Sequence, residues 1–391
     1  MIPSRDTEII DRKQAQSVEE SMGTEVINVN LAGANVSAER GAEALRQGGL
    51  VGFATETVYG LAATATDSKA MGRLRDLKNR PEMPFSVHMG EAEDVGRYVS
   101  RIPAGAQRII AKGWPGPVTL LLSTGGRLAE DALQKAGLHQ VLCHADTIGL
   151  RCPRPEMTRR MLSAVEAPVV AASANPAGEP SPRDAQAVLE YFDGRIDLLL
   201  DSGPTELGAD STIVKFEGDR WQLVRKGALD RETIEGMLLR RLLFVCTGNT
   251  CRSPMAEGIA RSLLSKASGV RPNHLAKAGW SVSSAGLWAA AGGKATPEAI
   301  DAAKRHGADI TAHRSQKLTS ELINSADLVL CMTDFHVNTT RQLAEGANVE
   351  VCRLDLHADI PDPIAGGMGV YRRTAGRIEK VLKERLDKGM L

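Results

Sequence analysis

A cysteine, an arginine and a Ser-Pro pair stand in close spacing between an apolar run and a helical stretch. The segment from Cys246 to Pro254 reads Cys-Thr-Gly-Asn-Thr-Cys-Arg-Ser-Pro and precedes the helical pattern 255–267. Gly248 and Asn249 tolerate left-handed backbone, and proline suits the first turn of a helix. The amides of such a loop can converge at a helix N-terminus and form an anion cradle. The pattern therefore predicts a strand, an anion-binding loop and a helix, in that order.

The residue types in this loop indicate nucleophilic chemistry on a phosphate. Cys246 would lie at the floor of the cradle, where an anion site favours the thiolate, the reactive form of the side chain. Arg252 would supply a bidentate fork for phosphate oxygens. A leaving group needs a proton, and Asp362, in a stiff Pro-Asp-Pro loop, is the candidate general acid. A buried cysteine after a strand is common by itself, so the prediction depends on the whole pattern.

Length and composition indicate a two-domain globular protein. The chain has 391 residues, 42% hydrophobic and 25% charged, which exceeds one ordinary core and is not typical of disorder. The six cysteines are sparse, unlike a secreted disulfide framework. No apolar run approaches the length of a membrane span. We therefore expect a cytoplasmic protein with no membrane association.

The chain is expected to divide near residue 238, where one α/β alternation ends and another begins. We predict a polar tail at 1–24, a front domain at 25–238 and a back domain at 239–391. From residue 241 onward there are 20 Lys+Arg against 15 Asp+Glu, which leaves 28 against 33 of the 48 of each before it. This acidic front half argues against non-specific nucleic-acid binding as its main role. The predicted front strands are 25–29, 50–54, 85–89, 118–123, 169–172, 197–200, 212–216 and 221–224.

Basic and hydroxyl residues recur at strand ends and turns of the front domain. The cations are suited to a polyphosphate and a carboxylate, and the small polar side chains can donate or accept hydrogen bonds. Each of these residues, taken singly, has an ordinary structural explanation. The cations are Lys78, Arg80, Arg151 and Arg225, and the small polar residues are Ser173, Asn175 and Ser181.

The back domain resembles the low-molecular-weight protein phosphatases along its length. The matching segments are 245–257, 283–286, 311–314, 326–332 and 361–363. The resemblance implies a parallel sheet flanked by helices and a phosphoprotein substrate. It makes Cys246 the nucleophile, Arg252 the phosphate ligand and Asp362 the acid. Support of the phosphate loop would come from Thr247, Gly248, Asn249, Thr250, Cys251, Ser253, Ser284 and His313.

Two positions bear on the phosphatase substrate and leave it open. The loop has Thr250 before Cys251 and in this respect resembles the protein-arginine phosphatase branch, where threonine at this place favours phosphoarginine. Tyrosine-specific members usually carry aromatic residues just after Asp-Pro, where this chain has Ile364. A third relative, the thiol-dependent arsenate reductase, needs a resolving cysteine pair. Cys331 has no close partner in the sequence, since Cys352 lies well downstream.

The front domain resembles the YrdC-like threonylcarbamoyl-adenylate synthases from about 25 to 236. The matching segments are 55–61, 78–81, 87–88, 114–119, 150–153, 171–175, 181–182, 210–212 and 224–227. The resemblance implies a twisted α/β domain that joins L-threonine, bicarbonate and ATP, with Mg²⁺ accompanying the ATP and no tightly bound cofactor. Its product would feed tRNA threonylcarbamoyladenosine modification, with the threonylcarbamoyl-transfer machinery as a partner. Threonine would be held by Thr55, His88, Arg151, Ala171 and Ser211. The nucleotide would be held by Lys78, Arg80, Thr147, Ser173, Asn175, Ser181 and Arg225.

The front domain also departs from the family pattern. Ala54 stands where proline is usual, and Asp210 where glutamate is usual. One alternative function is carbamoyl transfer through a carbamoyl adenylate, although those proteins carry zinc-finger cysteine pairs and no CxxC occurs here. Another is an RNA-binding module without catalysis, against which the acidic balance argues. The histidines and cysteines at 139, 143, 144 and 152 fit no standard zinc spacing, so no metal ligand is predicted.

Overall fold

The computed structural model describes residues 23–80, 84–344 and 349–391. Most of the predicted polar tail, up to residue 22, lies outside the described residues. Residue contacts divide the chain into a front unit, Met1–Met237, and a back unit, Leu238–Leu391. None of the helices in the described ranges combines the length and apolar character that a membrane crossing requires.

The front unit is built on one mixed sheet of eleven strands. The bounds are β1 Glu25–Asn28, β2 Val51–Ala54, β3 Tyr59–Thr64, β4 Ser86–His88, β5 Val118–Ser123, β6 Cys143–His144, β7 Thr147–Arg151, β8 Val169–Ser173, β9 Leu198–Asp201, β10 Thr212–Glu217 and β11 Arg220–Arg225. All eight predicted front strands are present. The strand order is β1-β9-β2-β3-β8-β4-β7-β5-β10-β11, with β6 paired to β7.

Strand β3 lies inside the sheet but was not predicted. It pairs antiparallel with both β2 and β8, and all its residues are buried. Its sequence, Tyr-Gly-Leu-Ala-Ala-Thr, is rich in small residues that have weak strand propensity. Gly60 is required by packing, since a Cβ atom there would lie 2.9 Å from the Phe53 ring. The missing strand signal thus reflects close packing at the centre of the sheet.

Helices cover the front sheet. Ala34–Arg46 packs against Glu156–Ser163, and a Cβ atom on Gly41 would lie 2.5 Å from the Met161 sulfur. Both helices contribute to an apolar cluster with β2 and β9. The front helices are Val29–Ala32, Ala34–Arg46, Ser68–Lys78, Val95–Tyr98, Ala104–Gly113, Asp131–Lys135, Leu138–Leu142, Glu156–Ser163, Ala185–Phe192 and Arg231–Leu238, with a 3₁₀ turn at Ala92–Asp94.

The back unit has a parallel sheet flanked by helices, which confirms the predicted fold class. The strands are β12 Arg240–Cys246, β13 Trp280–Gly286, β14 Leu328–Cys331 and β15 Glu350–Arg353. Their order in the sheet is β13-β12-β14-β15, and every pairing is parallel. Alternate residues of β12 enter two apolar clusters on opposite faces. The helices are Arg252–Ser268, Pro297–Lys304, Ser320–Ser325, Asp334–Leu343 and Met368–Asp387, with a 3₁₀ turn at Pro272–Ala278.

Candidate active sites

The loop after β12 is held in shape by one asparagine. Asn249 has a left-handed backbone, with φ of 54°. Its Nδ2 donates to Ser253 Oγ and to Ser284 Oγ, each at 2.9 Å. Its Oδ1 accepts from the Gln316 amide at 2.9 Å. The His313 ring contacts the Asn249 carbonyl, with Nε2 2.8 Å from the oxygen. The loop is therefore fastened to three surrounding segments.

The Cys246 sulfur lies at the floor of this loop. The backbone N–H of Asn249 donates to the sulfur at 3.2 Å, and Ser253 Oγ lies 2.9 Å from the sulfur. Both groups can donate to the sulfur, an arrangement that stabilises negative charge on it. The structure thus brings the candidate nucleophile together with two of its predicted supports.

Arg252 and Asp362 meet beside the loop. The buried Arg252 side chain forms an ion pair with Asp362, whose side chain is 42% exposed. Arg252 also donates to the Ile360 carbonyl at 3.3 Å and to Thr247 Oγ1 at 3.2 Å. The predicted acid therefore lies next to the predicted phosphate ligand, although 110 residues separate them in the chain.

The remaining predicted loop residues differ in their surroundings. Thr250 accepts from the Thr296 amide through its carbonyl at 3.0 Å. The Cys251 sulfur turns to the interior, where it lies 3.4 Å from the Tyr371 hydroxyl. A Cβ atom added to Gly248 would lie 3.7 Å from Thr250 Oγ1, an ordinary contact distance.

Sequence reasoning missed two supporting side chains of the back site. Ser284 donates to Glu257 Oε2 at 2.7 Å, so a carboxylate backs the network around Asn249. His336 Nε2 lies 2.9 Å from Thr247 Oγ1. Glu257 lies within a matching segment but has no signal of its own, and His336 becomes a neighbour of the loop only through folding.

Two exposed aromatic rings flank the loop and were also missed. Trp288 and Phe335 are 64% and 52% exposed, and their ring centroids are 5.5 Å apart. The Trp288 amide donates to the Thr247 carbonyl at 3.0 Å, so this aromatic pair adjoins the residue after the nucleophile. Ile364 lies in the loop that carries Asp362, the acid loop, and is 66% exposed.

The two cysteines considered for arsenate reduction lie on neighbouring strands. Cys331 is in register with Arg353, whereas Cys352 is in register with Leu330. Cys331 belongs to the apolar cluster on one face, and Cys352 packs against the cluster on the other. Burial raises the pKa of the Cys331 thiol to about 12. Cys331 and Cys352 therefore do not form a poised resolving pair.

The front unit contains a cavity of about 730 Å³. All twelve residues predicted to hold threonine or the nucleotide line it, although they come from segments spread over 171 positions, from 55 to 225. They are Thr55, Lys78, Arg80, His88, Thr147, Arg151, Ala171, Ser173, Asn175, Ser181, Ser211 and Arg225.

Lys78 is placed in the cavity by the end of its helix. The Ser68–Lys78 helix is capped by the Asp67 side chain and ends at Asn79 in a left-handed conformation. Lys78 Nζ donates to the Ser173 carbonyl at 2.6 Å and also contacts Asn175. Burial, together with the nearby Arg80, lowers the pKa of Lys78 to about 8. The Lys78 ammonium group is thus removed from water, and its protonation changes near pH 8.

Arg151 is buried at the end of β7 and only partly satisfied. Its NH2 group donates to Glu56 Oε1 at 2.8 Å and to Thr57 Oγ1 at 2.7 Å, but its Nε has no hydrogen-bond partner. Burial and the adjacent Arg151 lower the pKa of His88 to about 3, which leaves that ring neutral. A buried guanidinium nitrogen without a partner is suited to an anionic ligand.

Asp210 joins two of the predicted nucleotide contacts. Ser181 Oγ donates to Asp210 Oδ1 at 2.9 Å, and the Arg225 guanidinium lies 3.6 Å from the same carboxylate. Arg225 also donates to Ser211 Oγ at 3.0 Å, and that hydroxyl lies 2.9 Å from Thr119 Oγ1. The position that departs from the family pattern thus has a defined structural role.

The histidine and cysteine segment beside the cavity has ordinary partners. His139 Nε2 lies 3.1 Å from Thr124 Oγ1. Burial raises the pKa of Cys143 to about 11 and that of Cys152 to about 12. Within the described ranges, no group of three His, Cys, Asp or Glu side chains is arranged to hold a metal ion.

Comparison with known proteins identifies relatives of each half. Residues 43–227 match the Sua5/YciO/YrdC family model, described as telomere recombination. Residues 241–388 match the model for low molecular weight phosphotyrosine protein phosphatases.

Three curated relatives illustrate the matches. A threonylcarbamoyl-AMP synthase of Pyrococcus abyssi is 35% identical over 195 residues, which are 50% of this chain and 55% of that protein. A putative threonylcarbamoyl-AMP synthase of Mycobacterium tuberculosis is 33% identical over 196 residues, 50% of this chain and 86% of that protein. A protein-arginine-phosphatase of Bacillus subtilis is 37% identical over 149 residues, 37% of this chain and 92% of that protein.

The match to the first relatives is partial, since the chain spans about half the length of the Pyrococcus abyssi and Bacillus subtilis synthases. The shorter mycobacterial relative and the arginine phosphatase are covered over most of their length. The front half of the chain therefore belongs to the Sua5/YciO/YrdC family, and the back half belongs to the low molecular weight phosphotyrosine protein phosphatase family.

Proposed function

We propose that the front unit forms threonylcarbamoyl-AMP from L-threonine, bicarbonate and ATP. The observation that carries this proposal is the clustering of the four predicted cationic side chains, Lys78, Arg80, Arg151 and Arg225, with small polar groups around one cavity. Arg151, with its unpartnered Nε, is suited to the threonine carboxylate. Lys78 and Arg225 are suited to the phosphates of the nucleotide.

The proposed reaction needs positioning and charge stabilisation. The threonine amine adds to carbon dioxide derived from bicarbonate and gives a carbamate. A carbamate oxygen then attacks the α-phosphorus, and the bond from that phosphorus to the pyrophosphate oxygen breaks. Lys78 and Arg225 would offset the charge that develops on the phosphates, and no covalent enzyme intermediate is needed. The product would then enter the tRNA threonylcarbamoyl-transfer machinery.

Mg²⁺ would accompany ATP as a ligand of its phosphates. Among the described residues, the carboxylates that line the cavity are Asp210 and Glu179. Asp210 already contacts Ser181 and Arg225, so we assign no protein ligand to the ion.

Pyrophosphate release tests the front proposal. The full chain should release pyrophosphate from ATP only when threonine and bicarbonate are both present. Release that persists without either substrate would contradict the proposed reaction. A filter-binding assay with duplex RNA tests the non-catalytic alternative, in which RNA binds and no pyrophosphate appears.

We propose that the back unit hydrolyses a phosphorylated protein side chain through a phosphocysteine. The supporting observation is that the Asn249 amide donates to the Cys246 sulfur while Arg252 and Asp362 lie beside the same loop. The sulfur attacks phosphorus, the bond to the leaving group breaks, and Asp362 gives that group a proton. Water then attacks the phosphocysteine, Asp362 accepts its proton, and phosphate leaves.

The substrate remains a choice between two phosphorylated side chains. We propose phosphoarginine first, because Thr250 lies in the loop where its hydroxyl can bond to a group at the phosphorus. Phosphotyrosine is the second candidate, favoured by the exposed Trp288–Phe335 pair, since aromatic rings stack on a phenol.

A substrate panel on the full chain separates the candidates: phosphoarginine, phosphotyrosine, phosphoserine and arsenate. We expect the highest kcat/KM for phosphoarginine. Efficient hydrolysis of phosphotyrosine with none of phosphoarginine would contradict the arginine assignment, and turnover of arsenate alone would contradict the phosphatase assignment. The cytoplasmic location expected from the sparse cysteines stays a prediction.

A further inference from the structure

His336 is a buried histidine that the proposed phosphatase mechanism leaves unused. It lies in the first turn of the Asp334–Leu343 helix, is 2% exposed, and has both ring nitrogens in contact with hydroxyl groups. Nε2 lies 2.9 Å from Thr247 Oγ1, and Nδ1 lies 2.5 Å from Thr333 Oγ1. Thr247 directly follows the nucleophile, so the ring is one side chain away from the phosphate loop.

The chemistry of the partners allows one consistent assignment of direction to these hydrogen bonds. Arginine can only donate, so Thr247 Oγ1 accepts from Arg252 NH2 at 3.2 Å. The Thr247 hydroxyl is then free to donate its own hydrogen to His336 Nε2. The remaining ring proton lies on Nδ1 and is donated to the Thr333 hydroxyl. In this assignment, a series of hydrogen bonds runs from Arg252 through Thr247 to a neutral His336 imidazole.

The electrostatic surroundings support that neutral form. Burial and the nearby Arg252 guanidinium lower the pKa of His336 to about 4, while Asp362 and Asp359 act in the opposite direction. A protonated ring could not accept at Nε2, so the assigned directions are those of the uncharged imidazole.

We propose that His336 is a positioning residue of the back site: it orients the Thr247 hydroxyl so that this oxygen accepts from Arg252 and holds the guanidinium where phosphate binds. This assignment rests on the phosphatase function proposed above. Arg252 has two other contacts, the Ile360 carbonyl and Asp362. Asp362 belongs to the acid loop, so Thr247 provides an anchor for Arg252 within the phosphate loop itself.

Two substitutions separate positioning from simple packing. The amide NH2 of His336→Asn can take the place of Nδ1–H and donate to Thr333, but the asparagine side chain is too short to reach Thr247. The amide oxygen of His336→Gln can reach the place of Nε2 and accept from Thr247. We expect His336→Asn to lower kcat/KM for an aryl phosphate about tenfold through a raised KM, since misplacement of a binding group is costly. His336→Gln should restore most of this loss.

A double-mutant cycle adds a second readout. Thr247→Val removes the hydroxyl with little change of shape, so it should weaken inhibition by inorganic phosphate to the same degree as His336→Asn. Inhibition by inorganic phosphate should be no weaker in the double variant than in either single variant, because all three variants interrupt the same series of hydrogen bonds. Additive effects, or equal losses in His336→Asn and His336→Gln with unchanged melting temperatures, would overturn the assignment.

Failure of the proposed function is distinguishable from failure of this inference. A wild-type chain that hydrolyses neither phosphoarginine nor a phosphate ester would contradict the phosphatase proposal. Binding of inorganic phosphate, measured by calorimetry on the same full-length variants, would still follow the order wild type, Gln variant, Asn variant if His336 positions Arg252. Equal phosphate affinity in the three proteins would overturn the positioning role.

Discussion

At the scale of single residues, both proposed sites contain charged side chains that are buried where we propose that an anionic ligand binds. Arg252 and Arg151 are 4% and 5% exposed, and Lys78 lies at the end of its helix against two carbonyl groups. Removing such a group from water is unfavourable unless partners or a ligand offset the cost. Substitution of these residues should therefore weaken ligand binding, and substitution of Arg151 should also destabilise the fold because it leaves the buried Glu56 without this ion pair.

The buried Lys78 should make nucleotide binding pH-dependent. Its pKa is lowered to about 8, so its charge is present below that pH and is lost as the pH rises through it. We expect the KM for ATP in pyrophosphate release to increase above about pH 8, and Lys78→Arg to flatten this rise because guanidinium stays protonated. Lys78→Ala should reduce release at every pH, whereas Lys69→Ala, on the exposed side of the same helix, should not. A flat profile in the wild type would contradict the role of Lys78.

Asp362 should matter in proportion to the proton that the leaving group needs. We expect Asp362→Asn to lower kcat about a hundredfold with phosphoarginine or phosphotyrosine, which is within the usual range for a general acid. The loss should be much smaller with an activated aryl phosphate, whose phenolate leaves without a proton. Asp387→Asn, on an exposed position of the last helix, serves as the control. An equal loss with both classes of substrate would show that Asp362 acts in binding, through Arg252, and not as the acid.

Thr250 should influence the choice between phosphoarginine and phosphotyrosine. Thr250→Ile removes the hydroxyl and should shift the ratio of kcat/KM values toward phosphotyrosine by about tenfold, the free-energy equivalent of one good hydrogen bond. Thr250→Ser keeps the hydroxyl and should leave the ratio near that of the wild type. An unchanged ratio in the isoleucine variant would remove Thr250 from the account of specificity.

At the scale of elements, each site lies where strands end and the chain turns sharply. The back site lies between the carboxyl end of β12 and the N-terminus of the next helix, which is the usual ligand position in parallel sheets. The front cavity collects residues from the part of the sheet that runs from β3 to β11, including β7, β8 and β10. The backbone conformation of the loop after β12 is therefore as important as its side chains.

Asn249 should be needed both for its side chain and for its left-handed backbone. Asn249→Ala removes the bonds to Ser253, Ser284 and the Gln316 amide and adds a steric cost of about 1–2 kcal/mol at positive φ. Asn249→Gly loses the same bonds without that cost. We expect both variants to lose phosphatase activity and the alanine variant to have the lower melting temperature. Full activity in the glycine variant would show that the side-chain bonds do not support the loop.

At the scale of the whole molecule, the two sets of site residues lie on opposite sides of the division at Met237 and Leu238. The twelve cavity residues all precede it, and the loop with its acid and its supports all follow it. Each unit also has its own sheet and its own apolar clusters. A chain built in this way is expected to consist of two domains that fold separately.

Separate fragments should therefore retain their activities. Fragments 1–238 and 239–391 should each be produced in folded form, with pyrophosphate release in the first and ester hydrolysis in the second at rates within a few-fold of the full chain. Circular dichroism and thermal unfolding report whether each fragment is folded. Inactivity of both folded fragments beside an active full chain would contradict the two-domain account.

The sequence by itself determined the features that local patterns encode. Strand, loop and helix around Cys246 follow from apolar periodicity and from glycine, asparagine and proline preferences, and all eight predicted front strands are found. The resemblance to known families added the residues that now line one cavity. These signals depend on the order of residue types along the chain, which is fully available before folding.

Only the tertiary structure decided which distant groups meet. The pairing of Arg252 with Asp362, the support of Asn249 through Ser284 and Glu257, the contact of His336 with Thr247 and the exposed Trp288–Phe335 pair all join separate segments. The buried strand Tyr59–Thr64 also escaped prediction, because its small residues are selected by close packing and carry little intrinsic strand preference. Such contacts depend on sheet order and helix placement, which no local pattern specifies.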